Sequence, residues 1–193
     1  MPTAAAGFAD WQYTMDKPRR LGIVHGWLNT TGVLLYIVSL AQRQSGARAA
    51  GRATAMLGYF AMSAASYLGG ELISKHHLAV DRANEKTAPQ DFVRVLAESA
   101  LADGKPHRAE ANGAPVVLVR QDGRIQALTA TCSHMAGPLD EGEIEDGSIV
   151  CPWHGSRFSL EDGHVLNGPA TYPQPCFEAR VRDGQIEVRA AQS

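Results

Sequence analysis

The 193-residue chain is poor in cysteine and nearly balanced in charge. Its three cysteines are too few for a disulfide framework. A formal net charge of −2, with no basic stripe interleaved with aromatic residues, argues against a nucleic-acid partner. The N-terminal stretch MPTAAAGFADWQYTMDKPRR lacks the order of charges, apolar run and cleavage site that marks a secretory signal. The length allows one full domain, or a small domain with an appendage.

Two long runs without a charged residue lie in the first half of the chain. They cover residues 21–42 and 53–70, and about 17 to 25 mainly apolar residues are enough to span the hydrocarbon layer of a membrane. Neither run shows the polar stripe of a surface helix, and small residues at four-residue spacing, such as Ala61 and Ala65, suit close packing in lipid. The pattern predicts a transmembrane helical hairpin, with a soluble hairpin as the alternative.

Basic residues around these runs predict an orientation. The segment between the runs carries three, whereas the outer flanks carry six: Lys17, Arg19, Arg20, Lys75, Arg82 and Lys86. Cytoplasmic flanks are enriched in Lys and Arg. We therefore expect both ends of the hairpin on the cytoplasmic side.

The second half of the chain has the pattern of a β protein. The polar segment 83–91 contains a proline and is typical of a linker, so we place a helical domain at 1–86 and a second domain at 88–193. Short β-rich runs follow, separated by five Asp-Gly dipeptides that favour hairpin turns. The predicted fold class is thus α plus all-β: a two-helix hairpin followed by a small antiparallel β domain.

Two cysteines and two histidines form the clearest chemical pattern. Cys132-x-His134 is followed after sixteen residues by Cys151-x-x-His154. Thiolate and imidazole together suit zinc or an iron–sulfur centre. Zinc fingers usually pair Cys with Cys and His with His, whereas one of each on two loops suits a binuclear cluster with both sulfurs on one iron and both imidazoles on the other.

These loops resemble those of Rieske [2Fe–2S] proteins, and the resemblance extends over about residues 90 to 190. It is carried by Cys132-Ser133-His134, by Cys151-Pro152-Trp153-His154-Gly155, and by the continuation Ser156-Arg157-Phe158, Asp162-Gly163 and Gly168-Pro169-Ala170. The resemblance implies a cluster held by Cys132 and Cys151 on one iron and by His134 and His154 on the other. A structural zinc module is the alternative.

Departures from the family pattern bear on the redox potential. Gly137 and Trp153 occupy the places of the cysteines that form a disulfide in the Rieske subunits of cytochrome bc complexes. Ser156 stands where the family often has a hydroxyl donor to a bridging sulfide, but Phe158 replaces the tyrosine of high-potential members. The resemblance therefore implies a low to intermediate potential, nearer that of ferredoxins that supply oxygenases.

The first half resembles the last two helices of a four-helix bacterial membrane domain of unknown function, through GFADWQYT, RRLGIVHGWLN and SYLGGELI. That resemblance implies a bacterial cell-membrane location. Because the basic flanks predict that both ends of the hairpin are cytoplasmic, we expect the Rieske domain on the cytoplasmic side. It also implies helices from a separate membrane subunit, from a second copy of the chain, or from a longer N-terminus. His25 could ligate a haem, contact a quinone or only pack helices, and we favour packing. We assign no role to His76 and His77, which follow the second run.

We expect a membrane-tethered electron carrier with one [2Fe–2S] cluster, serving a reductase-type or oxygenase-type redox partner. The alternative is a redox or iron–sulfur sensor coupled to the membrane domain. A terminal oxygenase would need a further iron site, and only about forty residues follow the cluster loops, so no substrate site is expected on this chain.

Overall fold

A computed structural model describes residues 7–8, 11–78, 80–83 and 88–191. The chain divides into two compact units, Met1–Ala79 and Val80–Ser193. Residues 84–87 of the predicted linker, and with them Lys86 and the predicted domain boundary, lie outside the described residues.

Two long helices make up the first unit. Helix α1 spans Asp16–Gln44 and helix α2 spans Arg48–Ser74. Small residues bring the two backbones together, because a Cβ on Gly51 would lie only 3.0 Å from the Ser39 carbonyl oxygen. The Ser39 hydroxyl donates to the Gly51 carbonyl oxygen at 2.6 Å. The predicted helical hairpin is thereby confirmed.

The prediction of two membrane spans is met by one helix only. Among the described residues, α1 alone is long and apolar enough to cross a membrane, with an 18-residue window of mean hydropathy 1.4. Helix α2 does not qualify, because its central run 53–70 consists largely of Ala, Gly and Ser. Large apolar side chains are nevertheless exposed on both helices, among them Trp27, Leu34, Ile37, Tyr59 and Tyr67.

In the described part of the second unit, ten antiparallel strands confirm the predicted β domain. They form a six-stranded sheet in the order β1-β10-β9-β4-β3-β2 and a four-stranded sheet in the order β5-β6-β7-β8. The strands are β1 Val93–Ala97, β2 His107–Ala111, β3 Ala114–Gln121, β4 Arg124–Thr129, β5 Glu143–Glu145, β6 Ser148–Val150, β7 Arg157–Ser159, β8 Val165–Asn167, β9 Cys176–Arg182 and β10 Gln185–Ala190.

Four of the five Asp-Gly dipeptides connect paired strands, as predicted. In three of them both residues have positive φ, namely Asp122-Gly123, Asp146-Gly147 and Asp183-Gly184, which is the geometry of a two-residue hairpin turn. Asp103-Gly104 is the exception, since it lies ahead of β2 and Gly104 donates to the Arg120 carbonyl oxygen at 2.8 Å. The β2–β3 hairpin, which the sequence analysis missed, turns at Asn112-Gly113.

Two apolar cores stabilise this unit. One lies within the larger sheet and includes Val116, Leu118 and Ile186. The other joins Val117 and Leu128 of the larger sheet to Ile149 and Phe158 of the smaller one. The second core also contains Cys132 and Cys151, so the two sheets meet beneath the predicted metal ligands.

Candidate metal centre

The four predicted ligands lie on two loops with matching backbone hydrogen bonds. In the first loop, the Cys132 N–H donates to the Gly137 carbonyl oxygen at 2.9 Å and the Ala136 N–H donates to the Cys132 carbonyl oxygen at 2.9 Å. In the second, the Cys151 N–H donates to the Ser156 carbonyl oxygen at 2.8 Å and the Gly155 N–H donates to the Cys151 carbonyl oxygen at 3.0 Å. Each cysteine therefore opens a tight turn of the same kind.

Both turns require a left-handed residue four places after the cysteine. Ala136 has a φ of 61° and Gly155 a φ of 73°. Glycine adopts this conformation without steric cost, whereas alanine is disfavoured there. The first loop therefore needs support from outside itself to keep Ala136 in place.

The two cysteines are buried and lie side by side, each with 2% of its surface exposed. A hydrogen bond with Cys151, together with burial, raises the pKa of the Cys132 thiol. The same hydrogen bond lowers the pKa of Cys151 to about 6, assisted by the backbone N–H groups of Trp153 and His154. Thiolate is the form that ligates metals, and these N–H groups stabilise it.

The two histidines lie at the half-exposed rim of the same loops. The ring centroids of His134 and His154 are 5.1 Å apart and the rings are nearly perpendicular, at 84°. Burial, and then the charges of His154 and Arg82, lower the pKa of His134 to about 4. Burial also lowers the pKa of His154. Both shifts favour the neutral imidazole, which is the form that ligates metals.

Gly137 is where the two loops touch. A Cβ there would lie 2.8 Å from the Cys151 sulfur and 3.2 Å from the indole ring of Trp153. Only glycine permits this approach without displacement of a neighbour. The Trp153 side chain beside it is 57% exposed, so it presents an apolar surface next to the histidines.

Ser156 and Phe158, the other two predicted site residues, are both fully buried. The Ser156 hydroxyl oxygen accepts the Ala170 N–H at 3.0 Å, and the hydroxyl retains its own proton for donation. Phe158 packs in the apolar core together with Cys132 and Cys151. Its side chain offers no polar atom to either sulfur.

Gln174 supports the first loop and was missed by the sequence analysis. Its side-chain oxygen accepts the Ser133 N–H at 3.1 Å, and its amide nitrogen donates to the carbonyl oxygens of Thr129 at 2.8 Å and Thr131 at 2.5 Å. The Ser133 hydroxyl donates to the Tyr172 carbonyl oxygen at 2.8 Å. These three hydrogen bonds fix the Gln174 side chain against the first loop. A lone glutamine in a loop gives no signal of such a supporting role in the sequence.

His25 lies in the helical unit, within α1. One ring nitrogen, Nδ1, is 2.8 Å from the Ala65 carbonyl oxygen, and the other, Nε2, is 3.1 Å from the Asn29 side-chain nitrogen. Both nitrogens hydrogen-bond inside the helix pair, which supports the packing role. His76 and His77 lie in the segment that follows α2.

The paired geometry fits a binuclear cluster. Among the residues that the structure describes, no three His, Cys, Asp or Glu side chains are placed to hold one metal ion. A Rieske [2Fe–2S] group instead takes two cysteines on one iron and two histidines on the other. Two adjacent buried sulfurs, with two neutral imidazoles at the rim, match that donor set.

Comparison with known proteins gives a consistent result. The Rieske [2Fe-2S] domain family matches residues 91–178. The chain is 32% identical to Ferredoxin CarAc of Metapseudomonas resinovorans, over 51% of this chain and 94% of that protein. It is 34% identical to the 3-phenylpropionate/cinnamic acid dioxygenase ferredoxin subunit of Photorhabdus laumondii, over 53% of this chain and 96% of that protein.

Solved structures share the fold. A chain in the complex of reduced oxygenase and oxidized ferredoxin in carbazole 1,9a-dioxygenase superposes with a TM-score of 0.50 at 30% identity, covering 54% of this chain and 97% of that one. Other matched proteins are much longer, since the chain spans only 18% of the length of Apoptosis-inducing factor 3 from Mus musculus and Homo sapiens. The region that the family model matches lies in the β unit, and the ferredoxin comparison covers about half of this chain.

Proposed function

Because the chain belongs to the Rieske [2Fe–2S] family, whose members carry that cluster, we propose that it is an electron carrier that delivers single electrons to an oxygenase-type partner. Ferredoxin CarAc and a dioxygenase ferredoxin subunit are both covered over more than nine tenths of their length. One matched structure holds a ferredoxin together with its oxygenase. When bound, the cluster supplies a one-electron redox change, and substrate chemistry belongs to the partner.

The observation that carries the proposal is the meeting of two Cys–His loops at one site. In this proposal Cys132 and Cys151 bind one iron, and His134 and His154 bind the other. Backbone N–H groups favour the thiolate form at Cys151, and burial keeps both histidines neutral. Cys151 and the two histidines are thus favoured in the forms that ligate metals, and Cys132 would release its proton when the cluster binds.

The exit for the electron is proposed at the histidine rim. His134 and His154 are partly exposed, whereas both cysteines are buried. Exposed Trp153 lies beside His154, with ring centroids 6.3 Å apart. An exposed aromatic residue next to a half-exposed ligand is suited to contact with a protein partner.

Metal analysis and spectroscopy of the purified full chain test this function. We expect two irons and two sulfides per chain and a reduced-state electron paramagnetic resonance signal of low average g. Stopped-flow mixing of the reduced protein with an oxidised Rieske oxygenase component should show one-electron reoxidation. His134→Ala and His154→Ala should abolish the signal, whereas Cys176→Ser should keep it. One zinc per chain, or a cluster that an oxygenase cannot oxidise, would contradict the proposal.

We further propose that the helical unit tethers the carrier to a bacterial cell membrane. Helix α1 has the length and hydropathy of a span, and only 6% of its most apolar window is buried. Leu34 and Ile37 are exposed and contribute to an apolar helix face. Large exposed apolar patches mark surfaces that bind a membrane or a protein. Lipid, a second copy of the chain or a separate membrane subunit would cover this face.

Extraction experiments test the tether. The full chain should stay in the membrane fraction after alkaline carbonate, and a Leu34→Asp/Ile37→Asp variant should shift toward the supernatant. Val181→Asp, at a similarly exposed apolar position in the β unit, is the control and should have no effect. Full recovery of the unmodified chain as a monodisperse soluble species would support a soluble hairpin instead.

The proposed orientation places the Rieske unit on the cytoplasmic side. Lys17, Arg19 and Arg20 lie within the first five residues of α1, and cytoplasmic flanks are rich in such residues. Protease added to sealed inverted vesicles should therefore digest the β unit. Protection in inverted vesicles, with digestion in right-side-out ones, would reverse the assignment.

A further inference from the structure

A short segment ahead of the family match lies on the first cluster loop. The strap, defined as Val80–Ala83, belongs to the compact β unit, although the matched region starts only at residue 91. The Asp81 carboxylate accepts the Ala83 N–H at 2.8 Å, and Ala83 is fully buried. The strap is therefore a packed turn of that unit.

One hydrogen bond joins the strap to the residue between two proposed ligands. The Arg82 N–H donates to the Ser133 carbonyl oxygen at 3.1 Å. Ser133 stands directly between Cys132 and His134 and is only 1% exposed. The backbone of Arg82 is consequently fixed beside the first pair of ligands.

The Arg82 side chain brings a permanent charge to this place. It is half-buried, so its field is screened less than that of an exposed arginine. Guanidinium keeps its proton in proteins, so the charge persists across the pH range of the protein. The backbone hydrogen bond to Ser133 holds this residue beside the first cluster loop. The neighbouring Asp81 directs its carboxylate at the Ala83 N–H.

We propose that Arg82 is a positioning and tuning residue for the cluster: the strap holds its positive charge against the first cluster loop, where it raises the midpoint potential. The inference rests on the proposed function, because it needs a cluster on Cys132, His134, Cys151 and His154. A fixed positive charge lowers the energy of an added electron nearby, which favours the reduced state.

The test compares three variants of the full chain in detergent. Arg82→Gln removes the charge and Arg82→Lys keeps it. Arg182→Gln removes an equal charge at the end of β9 that lies away from the cluster loops. Arg182 is suited to this control because it ends β9, whereas the start of β9 pairs with β4 near the cluster loop. Its side chain is 64% exposed.

Redox titration followed by electron paramagnetic resonance gives the readout. We expect Arg82→Gln to weaken reduction about threefold to tenfold, which is a fall of about 28 to 59 mV for a one-electron couple. Arg82→Lys and Arg182→Gln should remain close to the unmodified chain. All of these proteins should keep the same signal shape, because the ligands are unchanged.

Each outcome decides between causes. An unmoved midpoint in Arg82→Gln, or an equal fall in Arg82→Lys, would overturn the electrostatic role. If Arg82→Gln fails to bind the cluster, Arg82→Lys must bind it at the original midpoint for the inference to stand. A missing Rieske signal in the unmodified chain would instead refute the proposed function.

Discussion

Gln174 offers the sharpest perturbation of the site, because it touches none of the proposed ligands. Its side chain is 1% exposed and makes three hydrogen bonds to backbone groups of residues 129–133. Replacement by leucine keeps the size of the side chain and removes all three bonds. A buried group that loses its hydrogen-bond partner costs about 1 to 3 kcal/mol, so Gln174→Leu should destabilise the first loop by at least about 3 kcal/mol.

That free energy corresponds to opening of the loop about 100-fold more often. Amide hydrogen exchange of the peptide that contains Ser133, measured on the cluster-loaded chain, reports such local opening. Loss of the cluster to an iron chelator should accelerate in parallel. Gln90→Leu makes the same substitution at an exposed glutamine and should leave both rates unchanged. An exchange rate within about threefold of that in the unmodified chain would refute the supporting role of Gln174.

A second substitution at the same position separates hydrogen bonding from packing. In Gln174→Glu, one carboxyl oxygen can still accept the Ser133 N–H, but the other faces the carbonyl oxygens of Thr129 and Thr131. The ionised acid would repel them, whereas the protonated acid could donate to one. Its folded-state pKa should therefore lie above the unfolded value of about 4.3. Loop protection in this variant should be greatest at low pH and decline as pH rises through the folded pKa, and a pH-independent defect would contradict this.

Three further outcomes follow from the geometry of the site. Phe158→Tyr should raise the midpoint potential and shift the onset of its pH dependence to lower pH, since a hydroxyl would then be available to the cluster sulfurs. Protein-film voltammetry measures both quantities. An unmoved midpoint would contradict the idea that Phe158 keeps the potential low. Gly137→Ala should lower cluster occupancy, measured as iron per chain, because the added Cβ would lie 2.8 Å from the Cys151 sulfur. Full occupancy would instead show that the two loops can separate to admit the Cβ. In the metal-free protein, His134 has a folded pKa of about 4 against an ordinary 6.5, so the unfolded state binds more protons between those values. The free energy of unfolding should then fall as pH is lowered from 6.5 toward 4, and denaturant unfolding of His134→Gln should lack that part of the slope.

The sequence indicated the two Cys–His loops and predicted most strands because those signals are local. Cys132-x-His134 and Cys151-x-x-His154 each occupy one turn, so their spacing alone indicates two metal-binding loops. The runs that became β3 and β10 are rich in branched apolar residues, which favour strands. The Asp-Gly dipeptides mark turns by their own backbone preference.

The missed elements lack such local signals. Strand β2 reads HRAEA and buries only two alanines, and β5 reads EIE with a single apolar residue. Both are strands because their partners β3 and β6 are. In α2, helix formation was predicted correctly, but the hydropathy of its small residues falls short of a span. Strand pairing is a property of the assembled chain, so the local pattern of β2 and β5 cannot determine it.

The hydrogen bonds that support the first cluster loop could not be predicted from the sequence for the same reason. Three of them meet at Ser133. Its N–H donates to the Gln174 side-chain oxygen, and its hydroxyl donates to the Tyr172 carbonyl oxygen. Its own carbonyl oxygen accepts the Arg82 N–H. Gln174 lies 41 residues away along the chain. Two separate segments thus hold the residue between Cys132 and His134, next to a loop in which Ala136 has an unfavourable φ. Because one of these segments precedes the region matched by the Rieske family, the position of His134 depends on a part of the chain that the family resemblance does not include.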